Sequence, residues 1–498
     1  MHIMLTLYKR RMRKMVTTEE KIMKIIKHKV DKFTARRLAI QSCDLPAAFF
    51  SVYFLTMEMK WVVLALAASM YALVIVVQHK KIVFTSAAAL IILLLGAIFP
   101  ESIFSSAGGV PLRIYPFVHA FTSLVNWNVL MIYVGSMIIA ALFIYSQMPA
   151  FIADKIVEKA PNTGIAIVLI LAMTGIISIF VENVATVLVM APIALALCKK
   201  LKIDPTYFMI GLAVMSNLEG TATLVGDPPS MIFASFAGYT FNDFFVHAAK
   251  PSIFFFIQTG MLAGCLYFYL FFAKQKEKPD FDKTEVISSV PLLLLLAMIF
   301  GLAAISFFHF DCEFLSGLYV LFLGIAGVLW FRFVRRRSLR ETQLLIKGLD
   351  WETIAFLIGI FIVVGAISET GLLSDFAHIL ARITGGNVFA GFMLILVVSV
   401  VISGFVDNVP YIIVMLPIAK TLAVQMNLAA ELYMFALLIG SCLGGNLTPF
   451  GASANVVAMG ILKKEGRPVD FAGWLKIGAP FTILTTAAAA LALWLVWA

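Results

Sequence analysis

Long apolar runs alternate with short polar breaks along most of the chain. Runs such as WVVLALAASMYALVIVV (61–77), IVFTSAAALIILLLGAIF (82–99) and PLLLLLAMIFGLAAISFF (291–308) approach the roughly 20 apolar residues that a membrane-crossing helix needs. Together such runs predict eleven or twelve crossing segments. Some breaks are too polar to be connecting loops of the ordinary kind. NLEGTATLVGDPPS (217–230) carries acids, glycines, prolines and hydroxyls between TYFMIGLAVMS and MIFASFAG, both apolar enough for membrane. Broken backbone at that depth is tolerated only where protein or water covers it.

The same break occurs twice. Residues 177–230 align without a gap onto 402–455 at an offset of 225, so that ISIFVENVATVLVMAPIA faces ISGFVDNVPYIIVMLPIA and LEGTATLVGDPPS faces LGGNLTPFGASAN. Upstream, WNVLMIYVG (127–135) matches WETIAFLIG (351–359) at an offset of 224. The chain therefore contains two copies of one unit, 127–236 and 351–462. Around them the pattern places a basic segment at 1–37, helices at 38–126, connecting helices and loops at 237–350, and a final loop and helix at 463–498.

Within each copy the polar residues fall in two places. The first is FVENVAT (180–186) and its partner FVDNVPY (405–411), each flanked by apolar arms of about 12 to 16 residues, too short to cross alone. We read each pair of arms as a re-entrant helical hairpin with Glu182–Asn183 or Asp407–Asn408 at its tip. The plainer alternative is that Asn183 and Asn408 simply cap the second arm. The second place is the broken helix, 217–230 and 442–455. Its half-helices would leave free N–H groups at one end and free carbonyls at the other, suited to an anion and a cation respectively.

Charge sets the orientation. Placing the N-terminus in the cytoplasm, with 38–57 as an extra crossing, puts all 38 Lys and Arg residues on the inner side except Lys60, Arg113, Lys250, Arg382 and Lys420. That is a strong positive-inside bias, and it makes the two copies inverted repeats, an arrangement typical of secondary transporters. The expected fold is thus an all-α polytopic membrane protein, each repeat holding a hairpin and a discontinuous helix. It is expected in the plasma membrane. With 61% hydrophobic and 13% charged residues, the net charge of +10 reflects topology rather than a nucleic-acid partner. The basic tail either lies on anionic lipid or is a solvated arm, and RFVRRRSLR (332–340) is a cytoplasmic loop between the halves. The five cysteines, Cys43, Cys198, Cys265, Cys312 and Cys442, have no CxxC and read as packing residues. His119, His309 and His378 fall in outer segments as surface residues. No nucleotide-binding motif, nucleophile–base pair or metal-ligand cluster is present, so neither ATP drive within the chain nor an enzyme is expected. No signal peptide and no cofactor is expected either, beyond a sodium ion.

DPPSM after GTATLVG, SGFVDNVPYIIVMLP, and SCLGGNLTPFGASANVVAMGI together resemble the arsenical-pump and melanosomal P-protein group of the ion transporter superfamily. That group is related to the D-type sodium/proton antiporters and more distantly to the dicarboxylate/sodium symporters. The resemblance runs from about Trp61 to the C-terminus. It implies a homodimer with a scaffold and a mobile transport domain, driven by a sodium or proton gradient. It carries Asn183, Thr223, Gly226, Asp227, Asp407, Asn408, Asn446, Thr448, Gly451 and Asn455 over as site positions. Glu182, Glu219 and Ser230 depart from the group's usual Asp, Gly and Asn. Two readings of Glu219 stand: a proton or cation carrier, or a bystander facing a water-filled vestibule.

The site expected from these readings has two halves, each hairpin tip facing its own repeat's broken helix. Glu182, Asn183, Thr221, Thr223, Gly226 and Asp227 form one, and Asp407, Asn408, Asn446, Thr448, Gly451, Ser453 and Asn455 the other. Sodium is expected at Asn183, Asp407 and Asn408. The expected activity is proton- or sodium-coupled secondary transport of a small inorganic anion or metalloid by alternating access. Sodium/proton antiport and, from a different class, an anion channel on the same fold are the alternatives. Acids at the tips would repel a polycarboxylate, which ranks citrate and succinate low.

Overall fold

A computed structural model describes residues 45–77, 80–100, 102–104, 111–201, 203–273, 275, 284–308 and 314–498. The basic segment 1–37, the start of the proposed 38–57 crossing, Cys43, Cys312 and His309 lie outside the described residues. Residues up to Trp61 and from Val62 onward form two compact units. In the first, the described residues form the start of a helix that runs Leu45–Val76, with no Gly or Pro after Pro46 to interrupt it. Everything below belongs to the second.

That unit is all-helical apart from a two-stranded hairpin pairing Val246–His247 with Lys250–Pro251. Among the described residues ten helices are long and apolar enough to cross a membrane, and Met59–Val74, Thr163–Ser178 and Val388–Ser403 are shorter apolar helices. The chain is a multi-pass integral membrane protein.

Each copy of the internal unit folds through the same series. A lead helix (Trp127–Tyr145; Trp351–Glu369) is followed by a short helix (Met148–Lys159; Leu372–Thr384) and a first hairpin arm (Thr163–Ser178; Val388–Ser403). A second arm (Asn183–Leu201; Asn408–Gln425) leads to an incoming half-helix (Thr206–Gly220; Ala430–Gly444) and an outgoing half-helix (Pro228–Ala237; Ser453–Lys464).

The caps recur with the sequence repeat. Asn126 and Asp350 each accept the backbone N–H three residues on at 2.9 Å, opening the lead helices. Asn162 and Asn387 do the same for the first arms at 2.9 and 3.0 Å. A short polar side chain satisfies an N–H that no helical carbonyl can reach, so equivalent residues start equivalent helices. At the hairpin tips the acids do the capping. Glu182 accepts from the Ala185 N–H at 2.9 Å and Asp407 from the Val409 N–H at 3.2 Å. Asn183 and Asn408 are the first helical residues, so they are not the caps that the plainer reading made them.

The second arms depart from expectation in length. They run 19 and 18 residues, not 12 to 16. Pro192 and Pro417 lie inside the helices without ending them. A helical proline loses one backbone bond and bends the helix but need not stop it. By length alone these arms can cross a membrane. The breaks are also shorter than 217–230 and 442–455: helix is lost only over residues 221–227 in the first copy, and in the second a 3-10 turn at Gly445–Leu447 precedes a turn that runs to Ala452.

His119 is not a solitary surface histidine. Its Nε2 lies 2.5 Å from Glu369 Oε1, and its ring stacks on Tyr115.

Candidate functional site

Both hairpin tips open onto one cavity. Glu182, Asn183 and Asp227 come from the first copy, Asp407, Asn408 and Ser453 from the second. Lys81, Tyr133, Asn217, Asp350 and Thr353 complete its polar lining. The space is about 40 Å³, enough for a few water-sized occupants.

Four carboxylates therefore face one amine, but each is held differently. Asp350 caps its helix, accepts the Thr353 hydroxyl, and takes a hydrogen bond from the Tyr133 hydroxyl at 3.4 Å. Asp407 caps the second arm and pairs with Lys81 Nζ at 3.4 Å. That amine also lies 5.2 Å from the Phe356 ring centroid. Glu182 is spent on its own helix start. Asp227 is the exception. It stands at the N-cap position of Pro228–Ala237 but makes no side-chain cap: Pro229 has no N–H to give it, and the Ser230 N–H donates to the Asp227 carbonyl at 3.0 Å instead. The tip asparagines of both repeats, Asn183 and Asn408, face its carboxyl. Its Oδ2 is buried without a protein hydrogen-bond partner.

Helix N-termini supply the opposite polarity. The second arms begin at Asn183 and Asn408 and the outgoing half-helices at Pro228 and Ser453, all on the cavity wall. Each N-terminus is equivalent to roughly half a positive charge. Ala452 cannot cap the Ser453–Lys464 helix with a side chain, so the first-turn N–H groups beside Ser453 and Ala454 are open donors. Among the described residues, no group of three or more His, Cys, Asp and Glu converges as metal ligands. The carboxylates share a cavity without chelating as a set.

The remaining sequence-predicted positions are placed differently. Thr223 donates to the Ile179 carbonyl at 2.5 Å, and Thr448 donates to the Gly404 carbonyl, the equivalent atom of the other copy. Each hydroxyl ties a broken segment to the hairpin tip beside it. Gly226 and Gly451 allow the same approach: a Cβ there would lie 2.8 Å from the Ser178 and Gly404 carbonyls respectively. Thr221 donates to the Asn217 carbonyl at 3.2 Å. Asn446 and Asn455 accept at 2.8 Å each from the Asn217 amide, and Asn455 donates to the Gly445 and Thr448 carbonyls. None of these seven residues is on the cavity wall. They form the frame behind it, and Asn217 joins the two repeats through it.

Glu219 is fully buried away from the cavity, its Oε2 accepting from Gln258 at 2.7 Å and its Oε1 without a protein partner. The structure does not bring it to the tips.

Lys81 and Asp350 lie in no motif, whereas Tyr133 and Thr353 lie within the lead-helix repeats WNVLMIYVG and WETIAFLIG. The signal that could have found Asp350 is its position one residue before the WETIAFLIG repeat, matching Asn126 as a cap. Lys81 had been counted only as a cytoplasmic charge.

Comparison with known proteins agrees with this architecture. A family model described as "Citrate transporter" matches residues 71–440 and 345–498. An uncharacterized transporter of Mycobacterium tuberculosis is 34% identical over 376 residues, covering 74% of this chain and 86% of its own. The P protein of Sus scrofa is 24% identical over 448 residues, covering 73% of this chain and 52% of its own. Among solved structures, the YdaH transporter of Alcanivorax borkumensis superposes with a TM-score of 0.56 at 13% identity, covering 82% of this chain and 96% of its own. At that identity the likeness is one of fold.

Proposed function

Because the chain belongs to the citrate transporter family of membrane transporters, we propose that it is a secondary active ion transporter in which both hairpin tips and Asp227 build a single ion site. The observation that carries this reading is the convergence of Glu182, Asn183, Asp227, Asp407 and Asn408 on one cavity that also holds Lys81. A buried carboxylate must have its charge compensated in every state of the cycle. Asp227, with a free oxygen and two facing amides, is suited to take a sodium ion or a proton. Lys81 acts as a tethered cation that neutralises Asp407 when no coupling ion is bound. The open N–H groups at Ser453 and Ala454 give a small anion its contact.

Substrate size and charge follow from the same walls. Citrate, which the family description names, would bring up to three negative charges to a cavity lined by four carboxylates and one amine. A space of about 40 Å³ does not hold it. A polycarboxylate fits this reading only in a more open state and with cations bound beside it; a small inorganic anion needs neither. The excess of carboxylates favours sodium/proton antiport as the second reading.

Reconstitution into sealed vesicles separates these. Coupled anion transport predicts anion accumulation under an imposed sodium or proton gradient, abolished by collapsing that gradient. Antiport predicts sodium movement that acidifies or alkalises the lumen with no anion required. Anion flux that equilibrates but never concentrates, whatever the gradient, would overturn both in favour of a channel.

A further inference from the structure

Only residues 335–350 join the crossing helices Leu315–Val334 and Trp351–Glu369, so this link lies at one membrane face. It carries Arg335, Arg336, Arg337, Arg340 and Lys347, with Arg332 one turn back in the first of the two helices. The function proposed above makes no use of these charges.

They divide into two sets. Arg332, Arg335 and Arg337 hold the link together. Arg332 Nη1 donates to the Arg337 carbonyl at 2.7 Å. Arg337 donates to the hydroxyl of Tyr145, the last residue of the first lead helix, at 2.8 and 3.1 Å, and to Glu341 at 2.9 Å. Arg335 faces the same hydroxyl. Arg336, Arg340 and Lys347 are exposed instead and, among the described residues, their side chains have no partner. Arg336 is presented by left-handed backbone, φ 52°, which residues other than glycine adopt at a cost.

The helix Leu339–Lys347 arranges the rest. Ser338 opens it with a capping box, its hydroxyl accepting the Glu341 N–H at 3.1 Å while Glu341 accepts the Ser338 N–H at 2.8 Å. Thr342 is buried, and Leu345 packs on the cluster of Ile138, Leu142, Phe331 and Leu349. That fixes the inward side. Outward lie two stripes at helical spacing, Leu339–Gln343–Ile346 and Arg340–Leu344–Lys347. Leu339 and Leu344 are 60% and 61% exposed, and Phe333 just before the link is 68% exposed. A surface made for water gains nothing from large apolar side chains set among unpaired cations. A helix lying in the bilayer interface uses both, because the apolar groups enter the acyl boundary while the long basic side chains reach the headgroups. The Trp351 indole donates to the Ile346 carbonyl at 2.8 Å, tying the last turn to the second lead helix with a residue suited to headgroup depth.

We infer that residues 333–347 form a docking surface for anionic phospholipid, with Arg336, Arg340 and Lys347 on the headgroup phosphates and Leu339 and Leu344 in the acyl boundary. Charge complementarity selects this partner. The one carboxylate of the link's helix, Glu341, is already paired with Arg337, and a basic cluster of this size beside a crossing helix attracts anionic lipid. The inference holds whichever ion or substrate the central site takes.

The test uses the full chain in nanodiscs of phosphatidylcholine with or without phosphatidylglycerol. Native mass spectrometry should find phosphatidylglycerol retained in preference to phosphatidylcholine. The triple variant Arg336→Gln, Arg340→Gln, Lys347→Gln should lose the most tightly held phosphatidylglycerol, with retention weakened roughly tenfold or more. Because the chain has other basic residues, the variant decides: unchanged retention overturns the inference. So does displacement of the lipid by inorganic phosphate, which would make the surface a site for a free anion. If the triple variant fails to assemble, a fluorophore on Leu344→Cys, with the native chain as the background for its own cysteines, reads the same surface. Lipids brominated in their acyl chains should quench it severalfold more in discs containing phosphatidylglycerol. Equal quenching in both discs, or none, would mean a loop that does not dock on anionic lipid.

Discussion

The two repeats share a frame but not a chemistry. Thr223 and Thr448 bind equivalent carbonyls, Gly226 and Gly451 make equivalent close approaches, and the caps of lead helices and arms recur. At the start of the outgoing half-helix the copies part. The first has Asp227 before Pro228 and Pro229, a carboxylate at a helix start whose first two residues have no N–H; the second has Ala452–Ser453, open donors without a carboxylate. On the proposed reading, a duplicated scaffold thus presents a cation ligand from one side and an anion contact from the other. Fold symmetry and site symmetry are separate properties, because main-chain geometry depends on a few small or hydroxylated residues while binding depends on whichever side chains reach the cavity.

The largest effect should come from breaking the difference. Asp227→Asn keeps the shape and removes the charge with the free oxygen. Losing a charged contact of about 1.5–3 kcal/mol corresponds to a roughly 10- to 100-fold weaker ion affinity at 1.4 kcal/mol per decade. Calorimetric titration of the purified protein with sodium, or titration with acid, reads this directly, and unchanged affinity for both would remove Asp227 from the site.

Asn217→Ala attacks the join between copies. It leaves two buried carbonyls, Asn446 Oδ1 and Asn455 Oδ1, without their donor. A destabilisation of about 2 kcal/mol is expected, seen as a lower melting temperature, with ion affinity in the surviving folded protein reduced less than in Asp227→Asn.

The shared frame predicts equality. Thr223→Val and Thr448→Val should each lower stability by about 1 kcal/mol and to a similar degree, with the ion dependence of transport retained. A pronounced loss of ion affinity in either would make its hydroxyl a ligand rather than a tie to the hairpin tip.

The smallest effect has the opposite sign. If Lys81 competes for Asp407, Lys81→Gln should tighten cation binding; the pair is partly exposed, so a gain of under about 1 kcal/mol, at most roughly fivefold, is expected. Weaker cation binding in this variant would argue that the amine organises the site instead of competing with the ion.

Much of the architecture was legible because it follows from local patterns. The apolar runs, the duplication and the helix-breaking Gly, Pro and Thr residues all act through nearby backbone. The caps Asn126, Asn162, Asp350 and Asn387 were not read from sequence, and at the tips the plainer alternative made the Asn of each acid–Asn pair the cap, where either can cap and only the fold shows which does. The division into wall and frame was not legible. Thr221, Thr223, Asn446, Thr448 and Asn455 look like ligands in sequence, and their partners turn out to be backbone carbonyls and Asn217. Which polar atoms are already satisfied is a tertiary fact. Lys81, Tyr133 and Asp350 were missed for the same reason: each is far in sequence from the tip it faces, and Tyr133 lies in a lead-helix repeat that reads only as an apolar span. Each tip does lie beside its own repeat's broken helix, through Thr223–Ile179 and Thr448–Gly404, and Asp227 in addition faces the tip asparagines of both repeats.

A double-mutant cycle on ion affinity between Asp227→Asn and Asn408→Ala tests that last point most directly, because the residues belong to different repeats. If one ion site spans both, the second substitution should weaken binding far less in the presence of the first than alone, giving a coupling energy of about 1 kcal/mol or more. Strictly additive losses would mean that the repeats bind independently, and the single shared site would be wrong.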